Sequence, residues 1–178
     1  AIAGRMVEDD NLLAQHIRED PEVVLDALEN ITATFEKFAT ELRNAGADGL
    51  FFATTQWGSS NLIHWEDYER LGVPFDLRVL KATGEAAINL LHVCSSKNFL
   101  KELAALDYPV KMYNWDSDDP TNPSLDEGTE WIKDKAVVGG VDQNGWLLHS
   151  KPVEIGRKID EMKARNNSAR MIIGPSCS

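Results

Sequence analysis

The chain of 178 residues is the size of one domain with a hydrophobic core, and its 43% hydrophobic and 26% charged residues are typical of globular proteins. A formal net charge of −11 argues against affinity for nucleic acid, because binding phosphates requires clustered Lys and Arg. The apolar runs stay well below the roughly 18 residues of a membrane span, so we predict a single domain over residues 1–178 that binds neither nucleic acid nor membrane.

The most clearly predicted element is a long amphipathic helix in the first part of the chain. It follows a weaker helical pattern over residues 8–18. Asp20, Pro21 and Glu22 supply an N-cap, a proline at the first helical position and an acid in the first turn. Gly46 is placed to end the helix. Between these ends, apolar residues recur at helical spacing: Val24, Ala27, Leu28, Ile31, Phe35, Phe38 and Leu42.

The rest of the chain alternates short apolar runs, typical of buried parallel strands, with helical patterns. The predicted strands cover residues 50–53, 87–94, 110–115, 136–141 and 170–173. The predicted helices cover residues 65–83 with a break at Gly72, 98–106, 124–132 with Ser124 as N-cap, and 152–165. This order predicts a parallel sheet with right-handed crossovers, in either a small doubly wound sheet or part of an eightfold barrel.

Polar side chains gather after the carboxyl ends of these strands, where both architectures bind ligands. His92 and Cys94 point the same way, roughly 6–7 Å apart along their strand. Cys177 follows the last strand, so three candidate zinc ligands would converge at one edge of the sheet. Asp116 and Asp142 follow two other strands. As catalytic candidates they could orient His92 or complete the metal site, or they could simply cap loops.

The two cysteines allow other interpretations, because inert core thiols and a disulfide are both compatible with this spacing. With only two cysteines and no recognisable secretory signal, a reducing compartment, the cytoplasm, is favoured.

A polar loop after the first strand is rich in hydrogen-bonding groups. Gln56, Ser59 and Ser60 belong to it, and we predict that they contact substrate, with a plain turn as the alternative. Trp115, at the end of a later strand, could form the wall of a site for a flat macrocycle or pack in the core.

Six short motifs resemble, in order, the second part of the uroporphyrinogen decarboxylase superfamily. The resemblance extends over roughly residues 8–178. That superfamily is built as a (β/α)8 TIM barrel, so the resemblance implies an α/β fold made of the C-terminal five βα units of the barrel, an incomplete barrel with a parallel sheet. The motifs are residues 46–54, 60–63, 91–94, 114–116, 138–142 and 173–177.

Two segments of the family pattern have no counterpart in this chain. The family's amino-terminal part, with the arginines and aspartate that hold the porphyrinogen in true decarboxylases, has no counterpart, and neither has the helix after the last strand. A (β/α)8 barrel needs about 250 residues. We therefore expect this chain to be part of a longer barrel, and we expect its sheet to have two unpaired strand edges. We expect it to associate with another copy, as a homo-oligomer, or with the missing barrel half.

Two activities occur in the superfamily, and the enzymes that carry them out differ in their site residues. True decarboxylases carry a histidine in the last strand's loop, where this chain has Cys177. The relatives that move a methyl group from a corrinoid to the thiol of coenzyme M carry His-x-Cys and a distant Cys as zinc ligands, which correspond to His92, Cys94 and Cys177. The resemblance therefore implies zinc as cofactor and a corrinoid protein as partner. A uroporphyrinogen decarboxylase with a tetrapyrrole substrate and a non-catalytic half-barrel remain as alternatives.

Overall fold

A computed structural model describes residues 2–165 and 170–177 of the chain. Within them, five strands form one sheet in chain order, and every neighbouring pair is parallel. Each connection therefore returns the chain to the same end of the sheet. The strands are β1 Phe51–Ala53, β2 Leu90–Val93, β3 Met112–Trp115, β4 Ala136–Val141 and β5 Met171–Pro175.

Helices precede the sheet and connect its strands, as the sequence predicts. Their bounds are α1 Ile2–Arg5, α2 Asp10–Glu19, α3 Pro21–Asn44, α4 Trp65–Leu71, α5 Val73–Lys81, α6 Leu100–Ala105, α7 Leu125–Trp131, α8 Trp146–His149 and α9 Pro152–Arg165. A single 3-10 turn, Thr55–Gly58, follows β1. Sequence periodicity does not predict this turn, α1 or α8, because four residues are too few to show a repeat of 3.6.

The ends of α3 lie where the predicted caps place them, although the side chain of Asp20, at the N-cap position, makes no capping hydrogen bond. Pro21 is the first helical residue. At the other end Gly46 has a φ of +99°, which a residue without a Cβ adopts at little cost. The amide of Gly46 donates to the carbonyl of Arg43 at 3.0 Å. The amide of Ala47 donates to the carbonyl of Leu42, also at 3.0 Å. This pair of bonds satisfies two carbonyls that the end of the helix would otherwise leave unpaired.

The two faces of the sheet differ, because side chains alternate along each strand. One face packs against the helices and carries the core residues Leu91, Val93, Tyr113, Trp115 and Val137. The other face carries His92 and Asn114, together with Phe51 and Ile172, which are 67% and 51% exposed. In a closed (β/α)8 barrel this second face would be the interior. We call it the open face.

The sheet does not close on itself in the described part of the chain, where β1 and β5 each pair along one edge only. This arrangement confirms the predicted fold class, an α/β fold with a parallel sheet that forms part of a barrel. Within residues 2–165 and 170–177, no helix is both long enough and apolar enough to cross a membrane.

Candidate metal centre

The candidate site lies at the carboxyl end of the sheet, on the open face. β2 carries His92, and Cys94 comes directly after the strand ends. Cys177 follows β5 by two residues. In a flat sheet β2 and β5 would lie about 14 Å apart, three strand spacings of about 4.8 Å. The contact between their side chains therefore depends on the curvature that a barrel wall has.

The three predicted ligands converge. The sulfur atoms of Cys94 and Cys177 lie 3.4 Å apart, and the Cys177 sulfur lies 3.5 Å from Nε2 of His92. All three ligand atoms lie within 4.8 Å of one another. Tetrahedral zinc with ordinary bond lengths holds its sulfur and nitrogen ligands about 3.5–3.8 Å from each other. The side chains of this group are therefore compatible with zinc in both donor type and spacing.

The two thiols of the group have opposite pKa shifts. The neighbouring His92 lowers the pKa of Cys94, against the opposing effect of burial. Burial, reinforced by the neighbouring Cys94, raises the pKa of Cys177 to about 11. One thiol therefore ionises well before the other in the metal-free protein. A cation between them would favour the thiolate form of both, since its charge offsets their mutual repulsion.

His92 is buried and held from two sides. Its ring stacks on Phe51, with centroids 5.5 Å apart and planes inclined by 26°. Its Nδ1 contacts Oδ1 of Asn114, the residue that pairs with it in the register of β2 and β3. Asn114 was not predicted as a site residue, because strand register decides that it faces His92. Alternation along the two strands and the motif over residues 114–116 are sequence signals for this contact, but neither supplies the register.

Asp116 and Asp142 lie at the same end of the sheet as the candidate ligands. Oδ1 of Asp116 accepts a hydrogen bond from the amide of Asp118 at 3.2 Å. Oδ1 of Asp142 accepts from the amide of Gly145 at 2.6 Å. Both carboxylates thus cap loops, which is one of the two interpretations predicted for them. Asp116 also contributes to the raised pKa of Cys177, and a role for either carboxylate at a metal stays a prediction.

The polar loop after β1 is bonded to neighbouring segments. Gln56 donates to Asp10 of α2. Ser59 is buried and donates to the carbonyl of Gln56 at 2.7 Å. Ser60 is exposed and donates to the carbonyl of Lys97 at 3.3 Å. These contacts order the loop, and a substrate contact for any of the three residues stays a prediction.

Trp115 lies on the helix-facing side of the sheet, opposite to the open face. Its side chain is buried, and Nε1 donates to the carbonyl of Pro123 at 2.9 Å. The edge of its ring packs onto Gly128, where an added Cβ would come within 2.3 Å of the indole. Of the two interpretations of Trp115, core packing is the one these contacts describe, and they give no support to a substrate contact.

The rim beside the candidate ligands is acidic. Asp118 accepts a hydrogen bond from Ser176 at 3.1 Å, one residue before Cys177. Burial raises the pKa of Asp118, and the neighbouring Asp142 and Asp116 add to the increase. Three carboxyl groups therefore influence one another at this end of the sheet, and Lys158 acts on Asp118 in the opposite direction. An anionic substrate would meet net repulsion from these three carboxyl groups.

A protein-family model described as Uroporphyrinogen decarboxylase (URO-D) matches residues 1–178. The chain belongs to the uroporphyrinogen decarboxylase family. Membership confirms the resemblance carried by the six motifs and agrees with the parallel sheet. Searches of curated proteins and of solved structures gave no significant match.

Proposed function

We propose that this uroporphyrinogen decarboxylase family protein binds zinc through His92, Cys94 and Cys177 and transfers a methyl group from a corrinoid to a thiol. The observation that carries the proposal is the convergence of one imidazole nitrogen and two sulfur atoms within 4.8 Å. Two thiolates with one imidazole are a ligand set that suits zinc, and three protein ligands leave a fourth position for substrate.

Zinc in such a site supplies Lewis acidity, which lowers the pKa of a bound thiol so that it is a thiolate at neutral pH. The chain's own residues supply position and shelter. His92 is buried and the two cysteines are partly buried, so charged groups interact more strongly there than in bulk water. Phe51 covers one face of the imidazole and limits its rotation. Asp116 is the proposed candidate for a further contact with the ion or the substrate.

A corrinoid protein is the proposed methyl donor, and a second copy or a complementary barrel half is the proposed partner in closing the barrel. The exposed apolar side chains of Phe51 and Ile172 on the open face support association, because their burial would be favourable. The cytoplasm is the proposed location, because both cysteines are free thiols and a reducing compartment keeps them so.

A second candidate is decarboxylation of a tetrapyrrole, which the description of the matching family favours. Such an enzyme would surround the substrate carboxylates with cations and hold an acid over the pyrrole. The rim instead carries the acidic groups of Asp116, Asp118 and Asp142, whose charge is opposite to that of the cations a decarboxylase needs. This acidity favours the zinc proposal over the decarboxylase.

Metal analysis of the purified, reduced protein after incubation with zinc tests the proposal. We expect about one tightly held zinc per chain, lost in His92→Ala and in Cys177→Ser. His16→Ala, which removes an exposed histidine of α2, is the matched control and should keep its zinc. A reduced protein that takes up no zinc refutes the proposal. Tetrapyrrole binding by that metal-free protein would support the decarboxylase, and binding of neither would support a non-catalytic half-barrel.

A further inference from the structure

Asn114 is a buried polar residue of β3 whose side chain lies between the candidate ligand His92 and two backbone carbonyls. Its Nδ2 donates to the carbonyl of Val138 at 2.6 Å and to the carbonyl of Pro175 at 3.0 Å. Its Oδ1 contacts Nδ1 of His92. One side chain thus connects three neighbours, on strands β2, β4 and β5.

The two carbonyls determine which way the Asn114 amide faces. A carbonyl oxygen only accepts hydrogen bonds, so the group that faces Val138 and Pro175 has to be the NH2, whose two hydrogens match the two acceptors. The reversed amide would bring its oxygen against two carbonyl oxygens, an unfavourable contact between acceptors. Since unpaired buried polar groups are costly, Oδ1 has to face His92.

The orientation of the amide in turn determines the proton on His92. An amide oxygen only accepts, so the Nδ1 that it contacts carries the hydrogen. A neutral imidazole has one N–H, and its lone pair is therefore on Nε2. Nε2 is the atom that lies 3.5 Å from the sulfur of Cys177, inside the candidate ligand group.

We propose that Asn114 is a positioning residue that holds His92 in the Nδ1–H tautomer and so presents the Nε2 lone pair to a metal. Asn114 also links the two strands that bring the ligands together. It contacts His92 of β2 and the carbonyl of Pro175, the last residue of β5, two positions before Cys177. The tautomer follows from the metal-free contacts, whereas the effect on metal affinity rests on the proposed zinc function.

The tautomer can be measured without metal. In the reduced, metal-free, 15N-labelled protein, two-bond correlations from ring carbon-bound hydrogens to ring nitrogens distinguish a protonated Nδ1 from a protonated Nε2. Comparison with a His92→Ala variant assigns the signals. We expect the Nδ1–H form in the wild-type protein and a mixture of tautomers in Asn114→Ala. An Nε2–H form in the wild-type protein overturns the inference, even if no variant folds.

Metal affinity provides the second measurement. Competition with a chromogenic chelator should show about 10–100-fold weaker zinc binding for Asn114→Ala, the range expected on loss of a hydrogen bond that orients a ligating histidine. Asn89→Ala is the matched control. Asn89 is also buried, but it lies at the opposite end of β2, where Oδ1 accepts from the amide of Leu50 at 3.0 Å. This control should lose stability while keeping its zinc affinity and the His92 tautomer.

The outcomes separate the two proposals. A wild-type protein that binds no zinc, yet whose Nδ1–H tautomer is lost in Asn114→Ala, refutes the zinc function and supports the positioning role. A protein that binds zinc while Asn114→Ala keeps both the tautomer and the affinity refutes the positioning role and leaves the zinc function standing.

Discussion

Ionisation of the Asp76 carboxyl group should lower the free energy of unfolding of this protein as the pH rises from 4 to 7. The carboxyl group of Asp76 lies in α5 and accepts hydrogen bonds from Tyr68 at 2.6 Å and Tyr108 at 3.2 Å. It borders a half-open pocket of about 270 Å³, in which most of the lining residues are apolar and cannot hydrogen-bond to a charged carboxylate. Burial therefore raises its pKa from 3.8 to about 6, although the two tyrosine hydrogen bonds oppose this increase.

The pKa shift sets the size and the sign of the effect. Between the unfolded pKa of 3.8 and the folded value of about 6, the folded protein binds more protons at Asp76 than the unfolded chain does. The free energy of unfolding therefore falls as the pH rises through this window. At 1.36 kcal/mol per pKa unit, the loss is up to about 3 kcal/mol by pH 7. Well below pH 3.8 the carboxyl group is protonated in both states, so this loss of stability is absent.

Urea unfolding of the wild-type protein and of Asp76→Asn, from pH 4 to pH 8, measures this contribution. The amide introduced by this substitution is not charged but retains an oxygen that can accept from Tyr68 and Tyr108. The stability of Asp76→Asn relative to the wild-type protein should rise by about 2 kcal/mol between pH 4 and pH 7, because part of the loss has already occurred at pH 4. The comparison removes the contribution of other titrating groups, such as Glu36 and Asp118. A stability difference that does not change with pH would refute the reasoning.

Two further predictions concern the open face and its thiols. Because the sulfurs of Cys94 and Cys177 lie 3.4 Å apart, hydrogen peroxide should convert the metal-free protein to an intramolecular disulfide, with the peroxide reduced to water. Intact-mass analysis detects disulfide formation as the loss of two hydrogens. Bound zinc should slow disulfide formation, and Cys177→Ser should abolish it. Equal rates with and without zinc would contradict a metal site that includes both thiols. Because Phe51 is 67% exposed on the open face, Phe51→Lys should weaken self-association by at least about tenfold in sedimentation velocity, whereas Val153→Lys, on the exposed part of α9, should not. A wild-type protein that is monomeric at all concentrations would contradict pairing of copies.

Much of the fold was predictable because the relevant signals are local. The helical spacing from Val24 to Leu42 and the glycine at position 46 predict where α3 lies and ends, and the structure confirms both. The order of strands and helices predicts a parallel sheet, since each crossover brings the chain back to the same end. Because the strands are parallel, the sequence also predicts that His92, Cys94 and Cys177 lie at the carboxyl ends of strands. Alternation along a strand places the first two on one face.

Other features depended on the tertiary structure. Cys177 meets Cys94 across three strand spacings, which depends on the curvature of the sheet and on the path of the chain after β5, and no local pattern encodes either. Asn114 rather than Asp116 or Asp142 contacts His92 because the register of β2 and β3 places it opposite. Residue spacing and strand polarity thus determined which side chains reach the rim, whereas curvature and register, which arise from packing between distant segments, decided which of them touch.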